Sequence, residues 1–392
     1  MEHDAIRSLW DGFGAGDITT PAMRRAIREW FDLYFDGKAT DQEDPCQKIP
    51  YAVVHKITRA AFSEYGWEAE GYAAKILRAL DVQRKKAMQM ALIGGECFLK
   101  PVPEGEGFRF RLVNRGNMLV FGRDADGNIT DLGLAEHTAG DKFYYTLLER
   151  RSCRAGLLTI TNALYRSEAP GVLGKRVGLT ELPEYAGLPD SFTFPKPMGI
   201  GLAGLRTPVE NCIDGSSDPV SVYAAAVGLI HNINRNEAQL NGEFQRGESR
   251  IITSSDFMRR EADGSRSFSD HIFVGLDEDP ENIGVTIFSP QLREASFLAR
   301  KQDYLRSVES IIGLKRGLLS QVEAVPRTAT EITSSSGDYH LTVMDFRQAW
   351  EDTAREALRI CGALGEFYNL PGAEELTGEE VSFRWGNGVL FD

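Results

Sequence analysis

The chain has 392 residues, 42% of them hydrophobic and 26% charged, with a formal net charge of −13. That size allows a substantial core and more than one domain, while no stretch approaches the roughly 20 apolar residues of a membrane helix and Met1-Glu2-His3-Asp4 lacks the basic start of a signal segment. The acidic balance argues against tight, static nucleic-acid binding. Cys46, Cys97, Cys153, Cys212 and Cys361 are far apart and odd in number, which suits free thiols in a reducing compartment and implies neither a disulfide framework nor a metal site.

In chain order, Thr20-Pro21 opens a predicted helix with Met23, Ile27, Trp30, Phe31 and Tyr34 on one face. Pro50 precedes a second, carrying Val53, Val54, Ile57, Ala61 and Phe62. A third, from about Ala69 to Leu92, turns Tyr72, Ile76, Leu77, Leu80, Ala87 and Met90 inward and ends at Gly94-Gly95. Strand signals take over: period-two alternation over Phe108–Val113, then Met118–Phe121, a hairpin signal at Asp126-Gly127 before Ile129–Leu134, and further strands over Lys142–Glu149 and Leu157–Tyr165. Ala169–Asn211, rich in glycine and proline, reads as an irregular arm.

From residue 218 the pattern becomes helical again. Asp218-Pro219 is an N-cap acceptor followed by proline at the first helical position. Tyr223, Ala226, Val227, Ile230, Ile233 and Leu240 then recur at helical spacing up to about Gln245. A second helix over Leu292–Ile312 carries Phe297, Leu298, Leu305, Val308, Ile311 and Ile312. Between them, short β-type runs (Arg250–Thr253, His271–Val274, Val285–Phe288) are separated by Asp263-Gly264 and the acidic Asp277–Glu281. After Pro326, Thr328 and Glu331 form a capping box, and the stripe Tyr339, Val343, Phe346, Trp350, Ala354, Leu358, Cys361, Leu364 predicts one long helix. Ser334-Ser335-Ser336-Gly337 predicts a break or kink in it.

Motifs of catalysis are weak. Gly199-Ile200-Gly201-Leu202-Ala203-Gly204 matches the dinucleotide fingerprint, so a nucleotide-dependent enzyme using this loop is the alternative reading. That fingerprint needs a strand before it and a helix after it, and here Pro195 and Pro197 precede and Pro208 follows. Asp124, Asp126 and Asn128 resemble the start of a calcium loop, but Ala135 stands where the bidentate glutamate is required, so a hairpin turn is expected. The six histidines show no ligand spacing and no serine occupies a nucleophile elbow. No catalytic residue, metal site or cofactor is therefore assigned.

Several stretches follow one another in a known order: Pro219–Ala226 entering a long helix, Arg250-Ile251-Ile252 leaving it, Pro290–Arg293, Ile311-Ile312-Gly313-Leu314, and Arg327-Thr328-Ala329-Thr330-Glu331-Ile332. In that order the chain resembles the portal proteins of tailed bacteriophages with long non-contractile tails, over roughly residues 48–392. Val381–Trp385 and Val389–Asp392 look like the strands that follow the long helix in that family. Two residues depart from its pattern, Asn234 where an aspartate is common and Arg327 where a lysine is.

The resemblance implies an α+β portal fold. It divides into a wing (1–217), a first stem helix (218–247), a small β clip (248–288), a second stem helix (289–313), a tunnel loop (314–327), a long kinked helix (328–368) and C-terminal strands at the base of a crown that is short or absent (369–392). It also implies a ring, usually of twelve copies, at one capsid vertex of the virion, assembled in the host cytoplasm. Such a ring passes double-stranded DNA and meets the terminase large subunit, a head–tail adaptor, and the major capsid and scaffolding proteins, with no membrane partner. Lys315, Arg316, Gly317, Leu318, Leu319, Ser320 and Gln321 become the expected channel loop; Asp277, Glu278, Asp279 and Glu281, with Arg259 and Arg260, become the expected partner-binding residues of the clip. A non-portal connector or scaffold built on stacked helices is a further alternative.

Overall fold

Glycine and proline placement explains much of the path of this α+β chain, seen in a computed structural model. It describes residues 9–35, 45–247, 291–321, 329–373 and 381–386, with the backbone alone for the strands between 250 and 288 and for 329–338. Helix α1 (Pro21–Phe35) starts where predicted: Thr20 Oγ1 accepts from Met23 N at 3.1 Å, capping an otherwise orphaned donor. Helices α2 (Ile49–Ala61) and α3 (Gly71–Gly94) follow, with strand β1 (Gly66–Glu68) between them. Helix α3 stops at Gly95, whose φ of +87° no other residue type adopts cheaply.

Strand β2 (Glu96–Glu104) pairs antiparallel with β3 (Gly107–Asn114). The sequence signals place β structure after Gly94-Gly95 but name no strand before Phe108; residues 96–104 form one despite Pro101 and Pro103. Both lie past Leu99, where β2 has lost its second neighbour, so their missing N–H groups break no ladder on that side. A larger antiparallel sheet runs β4 (Met118–Arg123), β5 (Ile129–Ala139), β6 (Tyr144–Arg154), β7 (Leu157–Ser167) and β8 (Lys175–Val177), and β9 (Ser191–Pro197) also pairs with β7. The turn between β4 and β5 is the expected hairpin: Asp124 Oδ1 accepts from Asp126 N and Asn128 N at 3.0 and 2.7 Å.

The region 169–211 corrects the expectation of an irregular arm. It contributes β8, β9 and β10 (Ala203–Arg206), the last pairing with β2. Prolines 195 and 197 misled because β9 meets β7 on one side and can spare donors on the other.

Helix α4 (Val227–Arg246) begins later than the Asp218-Pro219 signal suggests, after a 3₁₀ turn at Ala224–Ala226. Asp218 is used elsewhere: its buried carboxylate pairs with Arg123 and lies 3.6 Å from Arg115, whose Nε is 3.3 Å from the fully buried Glu96. Arg206 reaches Glu96 at 3.5 Å. Partners for buried charges outweigh a helix cap, since an unpaired buried carboxylate is the costlier arrangement.

Between 248 and 290 the described strands are β11 (Arg250–Thr253), β12 (Arg259–Arg260), β13 (Arg266–Ser267), β14 (Ile272–Val274) and β15 (Thr286–Phe288). β11 pairs with both β14 and β15, and β12 with β13. Helix α5 (Glu294–Ile312) returns alongside α4. Helix α6 (Ala329–Phe367) then runs 39 residues, and no interruption marks Ser334–Gly337. A single glycine costs about 1 kcal/mol in a helix. The buried stripe of Val343, Phe346, Trp350, Ala354, Leu358 and Cys361 outweighs it. Strand β16 (Ser382–Arg384) closes the fold by pairing with β1.

The main core gathers α1, α2, α3, α4, α5 and α6 around Ile76, Leu80, Met88, Trp30, Tyr223 and Trp350. Trp350 Nε1 donates to Tyr65 OH at 3.1 Å, satisfying the one polar atom of that buried ring. Arg347, also buried, donates to the carbonyls of Ala60, Ala61 and Gly386, tying α6 to the end of α2 and to the segment after β16.

Candidate functional site

Helices α4 and α5 have 20 and 19 residues, about 30 Å each at 1.5 Å per residue. Their lower ends enter the main core through Ile230, Ile233, Leu305, Val308 and Ile312, and Leu240 is buried farther along α4. Farther out, polar bonds hold them together. Lys301 Nζ pairs with Glu237 at 2.8 Å and donates to Gln47 Oε1 at 3.0 Å. Asn236 Nδ2 donates to Phe297 O at 3.1 Å. Arg293 binds Glu243 with both ends of its guanidinium, at 3.0 and 2.8 Å, and these bonds hold the Glu243 carboxyl below the usual carboxylate range. Asn234, where an aspartate was noted as common, is buried and its Oδ1 accepts from Gln47 N at 3.0 Å. A neutral amide suffices for that single bond. Leu298 in the outer part of α5 and Leu292, just before the helix, are exposed.

Residues 313–321, which follow α5, are held by hydrogen bonds. Gly313 ends the helix in the left-handed region, φ +75°, and Leu314 is buried. Glu309, 1% exposed, then accepts from Gly317 N at 3.1 Å, Ser320 N at 2.8 Å and Ser320 Oγ at 2.7 Å, with Leu319 N also donating to it. Gln321 N donates to Gln302 Oε1 at 2.7 Å. The expected channel-loop residues Lys315–Gln321 therefore form one tight turn wrapped on a buried carboxylate. Arg316 is exposed and Lys315 half-buried. Sequence reading did not single out Glu309; the available signal was an acid inside the apolar stripe Leu305–Val308–Ile312, eight residues before a glycine.

The expected clip residues are only partly placed. Arg259 and Arg260 form β12, opposite Ser267 and Arg266. Asp277, Glu278, Asp279 and Glu281 lie outside the described residues, as does Thr328. Helix α6 is described from Ala329.

The nucleotide alternative fails on geometry. The Gly199–Gly204 loop leads into strand β10, not into the helix whose N-terminus the dinucleotide fingerprint requires. The loop presents carbonyls: Ile200 O and Gly201 O accept from Arg151 at 3.0 and 3.1 Å. Arg151 in turn belongs to a buried trio with Glu149 and Lys100. Burial pushes the Glu149 carboxyl up, but Arg151 and Lys100 more than offset it and hold it at about 2.

No family model matches the chain, and no curated protein does either. Among solved structures it is similar to a chain of the virion of a native gene transfer agent particle, at 12% identity and a TM-score of 0.43, over 97% of this chain and 89% of that one. It is similar also to a chain of the neck of the native particle computed with C12 symmetry (TM-score 0.46, 12% identity, 97% and 89%). A third is from the neck of the empty particle computed with C6 symmetry (TM-score 0.46, 12% identity, 96% and 88%). Likeness at this level concerns the path of the chain and carries no function with it.

Proposed function

We propose that this chain is a phage portal protein, a structural and translocation component with no catalysis of its own. The observation that supports this best is the order of elements. A long helix, a small β insert, an adjacent long helix, a tight turn and a 39-residue helix run consecutively from Val227 to Phe367, and the portal-like stretches at Arg250-Ile251-Ile252, Ile311–Leu314 and Thr328–Ile332 fall at the junctions between them.

On this reading α4 and α5 are the stem, 248–288 the clip, and the turn around Glu309 the start of the tunnel loop. Copies close into a ring through a heterologous interface, to which the exposed outer face of α5 is suited. Double-stranded DNA passes through the ring, the terminase large subunit and a head–tail adaptor dock on it, and capsid and scaffolding proteins surround it at the virion vertex. A net charge of −13 limits persistent phosphate contacts, each of which adds salt-dependent affinity.

Negative-stain electron microscopy of the purified protein tests the reading. Rings with a central channel are expected; particles that stay monomeric or dimeric across salt and protein concentration refute it.

A further inference from the structure

Helical spacing sets Asn232, Arg235, Asn236 and Gln239 (i, i+3, i+4, i+7) on one face of α4, and Arg293, Ser296, Phe297, Arg300 and Tyr304 on one face of α5. In the structure these two faces line a single open cleft of about 360 Å³ between the helices. Among the described residues that line it, every ionisable group except the Tyr304 phenol is an arginine: Arg235, Arg293 and Arg300. The chain as a whole is acidic by 13 charges, so such a lining runs against its composition.

The three arginines are not equivalent. Arg293 is neutralised by Glu243. Arg235 and Arg300 are exposed and have no ion pair among the described residues, and the Arg300 guanidinium stacks over the Tyr304 ring at 4.4 Å, which preorganises its planar fork. Beside them the cleft offers the neutral donors of Asn232, Gln239 and Ser296. Two guanidinium forks without an ion pair among the described residues, set beside amide and hydroxyl donors with no carboxylate in the described lining, match a group with several acceptor oxygens and a full negative charge.

We infer that this cleft is a binding site for a backbone phosphate of double-stranded DNA, built on Arg235 and Arg300. The inference rests on the portal reading for the source of that phosphate. On that reading, one such contact per copy acts as a brake on sliding, holding DNA without reading its sequence.

The test uses the full-length protein, a short fluorescein-labelled duplex, and fluorescence anisotropy over a series of potassium chloride concentrations. The double variant Arg235→Gln, Arg300→Gln is compared with the parent and with Lys85→Gln, Lys86→Gln, which removes the same charge from the exposed side of α3. Electron microscopy of all three follows ring formation. We expect the arginine variant to keep the parent's assembly state and to lose roughly tenfold or more in affinity at low salt, its salt slope falling by about 0.9 for each phosphate contact removed; the lysine variant stays near the parent. Unchanged affinity and slope in the arginine variant, or an equal loss in the lysine variant, overturns the assignment. So does loss of rings in the arginine variant alone, which would put the cleft against an acidic surface of a second copy. A parent that forms no rings refutes the portal reading, and the same anisotropy comparison still decides the cleft.

Discussion

Glu309→Ala removes the acceptor on which the turn at 315–320 is wound. In the parent, the carboxylate serves the N–H groups of Gly317, Leu319 and Ser320 and the Ser320 hydroxyl. Leaving a buried donor without its acceptor costs about 1–3 kcal/mol. Some of the freed groups will find water, so the local loss is on the order of 3–5 kcal/mol. Glu309→Gln keeps one oxygen in place and should lose about 1–2 kcal/mol. Amide hydrogen exchange reads the effect directly: the Leu319 and Ser320 amides should be protected in the parent and lose roughly 100- to 3,000-fold protection in Glu309→Ala, since each 1.4 kcal/mol is a factor of ten. Glu309→Gln should fall between the two. If those amides exchange as fast in the parent as in the alanine variant, the turn is not held by Glu309 and its description as a fixed element is wrong.

Charge reversal at the turn, Lys315→Glu with Arg316→Glu, should impair DNA packaging or retention in particles carrying the variant portal while leaving rings intact; normal packaging would remove these residues from the channel. Glu149 offers a pH test. Its folded pKa, about 2, is below the ordinary 4.5, so its stabilisation is present above about 4.5 and is lost as pH falls toward 2. At full size this is roughly 3 kcal/mol, and the gap in thermal stability between the parent and Glu149→Gln should narrow over that window. A gap that stays constant would mean that Glu149 is not held ionised by Lys100 and Arg151. Gly95→Ala places a Cβ 2.3 Å from Pro219 O at a φ of +87°, a clash and a strained backbone together. It should cost roughly 3 kcal/mol or more, seen as a large drop in the urea midpoint or as failure to fold; an unchanged midpoint would contradict the packing of Gly95 on Pro219.

Periodicity and capping made the helices legible in advance. Met23, Ile27 and Trp30, or Val343, Phe346 and Trp350, recur at a spacing that only a helix turns to one side, and Thr20 marks its helix start by local chemistry alone. The turn at Asp124–Asn128 was legible for the same reason: its bonds span four residues. The portal-like order of stretches is likewise a property of the chain as a string.

What the string left open depends on partners far away in sequence. Asp218 has the form of a helix cap, but in the fold it meets Arg123 and Arg115 about a hundred residues earlier, and that pairing decides its use. Prolines 101 and 103 are tolerated because β10 pairs with β2 only as far as Leu99, and prolines 195 and 197 because β9 meets β7 on one side, which only the strand pairing reveals. Ser334–Gly337 reads as a break, but the packing of the residues beyond it keeps α6 continuous. Arg235 and Arg300 are each an ordinary exposed arginine on its own helix; only the packing of α4 against α5 brings them into one cleft. Local bonds and hydrophobic spacing were written in the order of residues, whereas pairing of charges and sheet edges had to wait for the tertiary structure, because those energies depend on which distant groups come within a few ångströms.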